Sequence, residues 1–406
     1  MKKVLSLSVL VLAVSANMGL AQTKLKTGIW RGALRPGTAT ELPFNFEVKD
    51  AAGKQQLYII NGNEHFSVPD VRTVGDSVFI KMPLFDSEFR LARNADGLQG
   101  KFIKHLGVRN TYTDFSAVPD APYRFFKDPE KAAFNVTGRW SAVFGATDAK
   151  RDTTVGEFKQ TGNKLTGTFL TTTGDYRYLE GVVTGNKLYL SCFDGGHAFL
   201  FTATIKDNQT IVDGSFGGDP WTAVRNENAK LPDAYSLTSL KAGEKSINFS
   251  FKDIDGKQVS LSDARFKNKV VIVQFMGSWC PNCMDETSFL VNYYKKYHPK
   301  GVEIVGLAYE RTTDFAQSKR TLLQLKNRFN IPYPLLITGY TPAKGEPAKS
   351  IPQLANYVAF PTTIIIDKKG EVAKIHTGYS GPGTDEHYTE FVKEFEGLTD
   401  KLLSAQ

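Results

Sequence analysis

Val270-Val271-Ile272-Val273-Gln274-Phe275-Met276-Gly277-Ser278-Trp279-Cys280-Pro281-Asn282-Cys283 runs from an apolar segment into two closely spaced cysteines. The unbroken apolar run at its start suits a central strand buried on both faces. Cys280 then falls where a helix begins, and the free N–H groups and dipole of a helix start stabilise a thiolate. The two intervening residues set the second sulfur about one turn on, within disulfide reach of the first. Pro281 takes the first helical position, which tolerates a missing N–H. This reading makes Cys280 exposed and nucleophilic, and makes Cys283 the more buried sulfur that resolves a mixed disulfide. A zinc site would need four ligands, and Cys192 is the only other cysteine. A purely structural disulfide closing so small a loop would constrain little. No metal and no cofactor is expected beyond a redox-active Cys280–Cys283 disulfide.

Downstream, strands alternate with helices. Residues 302–308 and 362–366 are further apolar strand-like runs. Residues 286–297, 315–329 and 387–403 carry apolar side chains at spacings of three and four, such as Leu322, Leu325 and Phe329. Alternation of this kind reads as an α/β domain over residues 247–406.

Over about residues 246–403 the chain resembles the thioredoxin-like thiol–disulfide oxidoreductases of the TlpA/ResA type, which are exported bacterial proteins. The matching residues are the stretch from Phe275 to Cys283, Glu286 three residues further on, and Phe360-Pro361-Thr362-Thr363. Asp255-Gly256-Lys257-Gln258-Val259-Ser260-Leu261 looks like the hairpin that opens such domains. The resemblance implies a cis proline at Pro361 facing the disulfide. It implies that Phe360 offers its backbone to an extended substrate segment, with Trp279 also on the substrate side. It suggests that Glu286 tunes the cysteine pKa values. Asn282 stands where the family usually has proline, and that dipeptide tunes the redox potential. Gln274 occupies the position of the buried carboxylate of thioredoxins proper, six residues before the first cysteine, so no proton relay runs through it. Residues 340–357, with Pro342, Pro347 and Pro352, look like an insertion before the cis proline, read either as a substrate-groove wall or as a surface loop.

The first half reads as antiparallel β-structure. Short aromatic and β-branched segments are punctuated by Asn61-Gly62, Gly75-Asp76, Gly162-Asn163 and Gly185-Asn186. Thr27-Gly28-Ile29-Trp30 matches Thr137-Gly138-Arg139-Trp140, Phe85-Asp86 matches Phe193-Asp194, and Gly100-Lys101-Phe102 matches Gly214-Ser215-Phe216. Near-constant offsets argue for a duplicated all-β unit, at residues 23–116 and 135–226, with a polar linker at 227–246. The Gly-x-Trp openings look like those of lipocalin-type barrels, and a barrel of that size can hold one small ligand. His197 reads as a turn or core histidine and Cys192 as a buried, inert thiol.

Residues 1–21 combine Lys2-Lys3, an apolar run too short to span a bilayer, and small residues before a cut, the pattern of a secretory signal peptide. The expected location is the periplasm, with no stable membrane insertion once the signal is removed. The 406 residues carry a net charge of +8, to which Lys2 and Lys3 contribute, and the basic residues are scattered rather than striped. Nucleic-acid binding therefore has no specific support. With 41% hydrophobic residues the chain can build packed cores.

The leading function is a periplasmic reductase of disulfides in exported partner proteins, recharged by a membrane thiol donor. A peroxiredoxin-like peroxidase is the first alternative, but that chemistry needs a Thr a few residues before its cysteine, and Met276-Gly277-Ser278-Trp279 lack one. The second alternative is a ligand- or partner-binding protein whose β-repeats carry the main function.

Overall fold

The computed structural model describes residues 24–36, 40–51, 53–106, 109–145 and 152–405. The signal-like segment 1–21 lies outside them.

The first nine strands are β1 (Gly28–Arg35), β2 (Leu42–Ala51), β3 (Lys54–Asn61), β4 (Glu64–Val68), β5 (Asp70–Val74), β6 (Ser77–Lys81), β7 (Ser87–Asn94), β8 (Gly97–His105) and β9 (Asn110–Pro119). They form one antiparallel sheet in the order β4-β3-β2-β1-β9-β8-β7-β6-β5. Neighbours in sequence are neighbours in space, and β1 closes on β9. The two ends of the sheet, β4 and β5, are consecutive in the chain and meet at Pro69. A proline offers no N–H to a ladder, so it breaks one long strand into a half that pairs with β3 and a half that pairs with β6.

The next nine strands are β10 (Gly138–Phe144), β11 (Asp152–Thr161), β12 (Lys164–Thr171), β13 (Gly174–Asp175), β14 (Leu179–Thr184), β15 (Lys187–Phe193), β16 (Ala198–Asp207), β17 (Thr210–Phe216) and β18 (Asp219–Arg225). Here the ring closes through β10–β18 and β11–β12 pairing. The unbroken β14 pairs with both β12 and β15, the task divided between β4 and β5 in the first barrel. The matched sequence pairs fall on equivalent places: the opening strands β1 and β10, the β6–β7 and β15–β16 connections with the residue entering them, and strands β8 and β17. The Trp30 indole donates to the Lys26 carbonyl at 2.8 Å, and that of Trp140 to Val136 at 2.9 Å. The tandem all-β repeat expected from the sequence is therefore present, as two barrel-like sheets.

Both interiors are filled by side chains. Trp140, Phe169, Phe201 and Trp221 are fully buried in the second barrel, and Phe44 and Phe46 in the first. Each contributes roughly 2 kcal/mol through burial. The space left among the first barrel's rings is about 10 Å³, far too little for a small-molecule ligand. Phe193, at the end of β15, stacks on Phe44 at 4.4 Å and meets Phe102 edge-on at 5.3 Å, so a ring from the second barrel completes the core of the first.

The C-terminal part contains β19 (Ser239–Leu240), β20 (Ser250–Asp253), β21 (Gln258–Ser260), β22 (Val270–Met276), α1 (Pro281–Tyr297), β23 (Val302–Ala308), α2 (Phe315–Phe329), β24 (Leu335–Ile337), α3 (Glu346–Ser350), β25 (Leu354–Asn356), β26 (Thr362–Ile366), β27 (Val372–Thr377) and α4 (Glu386–Ser404). Seven strands order as β21-β20-β24-β23-β22-β26-β27, with β22, β23 and β24 parallel and β26 antiparallel to β22. Every residue of β22 is buried, as a strand covered on both faces requires. Residues 340–357 are not a bare loop. They contribute α3 and β25, and β25 pairs with β19 from the 227–246 segment. That segment is strapped to the domain, since Thr377 N–H donates to Ala234 O and Val372 N–H to Lys245 O. Among the described residues, no helix is long and apolar enough to cross a membrane.

Candidate functional site: a cysteine pair where three domains meet

β22 delivers the chain to Gly277-Ser278-Trp279, and α1 begins at Pro281 with Cys280 as its N-cap. The Cys280 sulfur accepts a hydrogen bond from the Cys283 N–H at 3.2 Å, so a group that favours the thiolate is in place. Cys280 and Cys283 are joined as a disulfide, with Cα atoms 5.2 Å apart. The Phe360–Pro361 peptide bond is cis. Trp279 meets Phe360 edge-on at 5.5 Å, and its indole donates to Tyr309 O at 2.9 Å.

Glu286, one turn after Cys283 on α1, is 1% exposed and has no cationic partner among the described residues. Its carboxylate accepts from Gln274 Nε2 at 2.8 Å and from Thr363 Oγ1 at 2.7 Å. Burial pushes its pKa up to about 7, and these two hydrogen bonds only partly oppose the rise. Gln274 also donates to Cys283 O at 3.4 Å and to Thr287 Oγ1 at 3.2 Å. Gln274 on β22 thus bridges Glu286 to the backbone of Cys283.

Glu310, just beyond β23, escaped the sequence reading. It accepts from Ser278 N–H at 2.8 Å, Ser278 Oγ at 2.6 Å and Thr321 Oγ1 at 3.2 Å, and so pins the residue two before Cys280. Burial holds its carboxyl above the usual range. Its place at the carboxyl end of a parallel strand was the available signal.

One expectation is corrected. Cys280 is not exposed: only 4% of its surface is accessible, and Cys283 has none. The residues around the pair are packed against the second barrel. The Asn282 side-chain amide lies on the backbone of Asp175, donating to its carbonyl at 3.1 Å and accepting from its N–H at 3.2 Å. Asp175 Oδ2 accepts from Gly381 N–H at 2.7 Å. Arg177 is 5% exposed and pairs with Glu64 of the first barrel at 2.6 Å and with Asp285 of α1. A chain without its β-half would lack these contacts.

Gly174 sits where this packing is tightest. Its φ is +145°, and a Cβ there would lie 1.9 Å from the end of the Asn282 side-chain amide. Gly174→Ala is expected to cost about 1–3 kcal/mol through strain and overpacking. It should also speed alkylation of Cys280 in the reduced protein by iodoacetamide. An unchanged alkylation rate would show that this turn does not cover the pair.

The other single-cysteine and histidine expectations concern the second barrel. Cys192 is fully buried, and burial raises its thiol well above the usual value. His197 lies beyond the β15 turn, with Nδ1 3.1 Å from Asp194.

A cysteine pair at a helix start, a cis proline and this sheet order define a thioredoxin-like redox domain. The Redoxin family profile matches residues 241–391. The thiol-disulfide oxidoreductase ResA of Bacillus thuringiensis subsp. konkukian is 30% identical over 155 residues, covering 38% of this chain and 79% of that protein. ResA of Halalkalibacterium halodurans is 26% identical over 153 residues, covering 38% and 78%. Among solved structures, a thiol-disulfide oxidoreductase from Bacteroides fragilis is 19% identical, with a TM-score of 0.29, covering 37% of this chain and 99% of that one. The chain belongs to the ResA thiol–disulfide oxidoreductase family.

Proposed function

We propose that this oxidoreductase works in the reducing direction, in the periplasm, on disulfides of exported proteins. The observation that carries this reading is the Cys280–Cys283 pair at the start of α1, in a domain that also has a cis Phe360–Pro361 bond and a buried Glu286 one turn after Cys283. The Cys280 thiolate attacks a substrate disulfide and releases one substrate thiolate. Cys283 then attacks Cys280 in the mixed disulfide, releasing the second substrate thiol and forming Cys280–Cys283. Two electrons pass to the substrate, and a membrane thiol donor returns them to the pair. The two sulfurs carry the electrons, so this chemistry needs no bound cofactor or metal. Trp279, Phe360 and Pro361 line the approach for substrate, and Glu286 sets the cysteine pKa values. The signal-like segment 1–21 supports export.

The test is a Cys283→Ala variant of the full chain expressed with its signal segment. It should accumulate mixed disulfides with exported proteins through Cys280, released by dithiothreitol and absent when Cys280 is also replaced. No adduct, together with no measurable thiol exchange by the unaltered pair, would remove the proposal.

A further inference from the structure

A cleft with about 130 Å³ of room opens where the three domains meet, walled by Phe85 and Lys104 of the first barrel, His197 of the second, and Trp279 and Arg311 of the redox domain. Its acidic groups are already matched. Asp86 pairs with Arg320 at 3.3 Å. Glu310 is held by three donors from Ser278 and Thr321. Asp194, behind the wall, pairs with His197 and caps the Gly196 and His197 N–H groups. The two long cations are matched only at a distance, Lys104 by Asp194 and Arg311 by Glu310. Among the described residues neither Lys104 nor Arg311 has an ion pair or a hydrogen bond from its side chain. Arg311 lies over the Trp279 ring at 5.2 Å. Burial, reinforced by Arg311 and opposed by Asp194, holds the Lys104 amine below its usual value. Two like charges facing one cleft, Lys104 half-buried and Arg311 exposed at its rim, favour an anion between them. Trp279 immediately precedes Cys280, so a group seated on it lies beside the redox pair. The pair itself is buried against the second barrel, which leaves little room for a folded surface to dock there.

We infer that this cleft is a specificity site for a carboxylate carried by the disulfide substrate, held by Lys104 and Arg311 with Trp279 as its apolar floor. The inference rests on the reductase reading of Cys280 and Cys283. It gives the first barrel a part in choosing the substrate. The carboxylate can belong to a small disulfide or to an acidic segment of a protein.

The experiment follows oxidation of the reduced full-length protein by four disulfides. These are glutathione disulfide, uncharged 2-hydroxyethyl disulfide, and two peptide disulfides that differ only in flanking Glu or Gln. The protein should prefer a carboxylate-bearing member. Lys104→Glu should lower that rate about tenfold, the effect of losing one charged hydrogen bond. It should leave 2-hydroxyethyl disulfide unaffected, and Lys104→Arg should retain the preference. A preference confined to glutathione disulfide assigns the site to small substrates, and one confined to the Glu peptide assigns it to protein segments. Equal rates for charged and uncharged disulfides, or an equal loss on all of them in Lys104→Glu, would overturn the inference and leave the reductase reading standing. Failure to oxidise with any disulfide would instead overturn the reductase reading.

Discussion

Replacing Arg177 with Ala is expected to lower the stability of the folded chain by about 3–5 kcal/mol, because it leaves buried carboxylates without their cation. Arg177 joins all three domains at once, through Glu64, through Asp285 and from its own position after β13. Asp175 adds a third carboxylate, accepting from the Arg177 N–H at 2.5 Å and from Gly381. Burial already pushes Asp285 up to about 7, against the pull of Arg177, with Asp175 and Glu64 adding to the rise. Without the guanidinium Asp285 and Asp175 rise further. A carboxylate whose folded pKa is raised destabilises the fold as pH climbs through the interval between its unfolded and folded values. The Arg177→Ala loss should therefore be smaller near pH 5 and larger near pH 8, measured by urea denaturation at the two pH values. Arg177→Lys keeps the charge but not the two-pronged geometry, and should fall between. A pH-independent loss would mean that lost packing, not lost charge, dominates.

Glu286→Gln should reverse the usual direction of a core substitution. The wild-type carboxyl is raised from 4.5 to about 7 by burial. The folded state therefore binds a proton more tightly than the unfolded state between those values. Its contribution is most favourable below about pH 4.5 and declines as pH rises towards 7. The decline is on the order of 3 kcal/mol for a shift of this size. Glu286→Gln removes that slope and should be the more stable protein above pH 7, provided Gln274 and Thr363 reorient to satisfy the new amide. The same variant should lose an inflection near pH 7 in the alkylation rate of the reduced cysteines. Retention of the inflection would assign it to another group.

These two sites mark how far the sequence could be read. The strand–helix alternation after residue 247 was legible because each element is set by its own periodicity, and β22, β23 and β26 lie where the apolar runs are. The placement of Cys280 at the N-cap was legible for the same local reason. The duplication was legible because equivalent turns repeat the same residue types at near-constant offsets. Glu286 was singled out, but its burial was not visible. Its partners Gln274 and Thr363 are 12 and 77 residues away, and a lone glutamate on a helix reads equally well as a solvated one. Arg177 and Asp175 gave no signal at all, and Glu310 only its place at the carboxyl end of a strand, since a charged residue in a strand or turn is ordinarily at the surface.

The sequence by itself thus determined the elements, the repeat and the place of the cysteine pair at a helix start, because these depend on residues close along the chain. Only the tertiary structure decided that the pair is covered, that Arg177 reaches Glu64 and Asp285 across 113 and 108 residues, and that Lys104 shares a cleft with Trp279. The physical reason is that whether a polar group is buried, and against which charge, depends on how the domains pack. No periodicity along the chain records that packing.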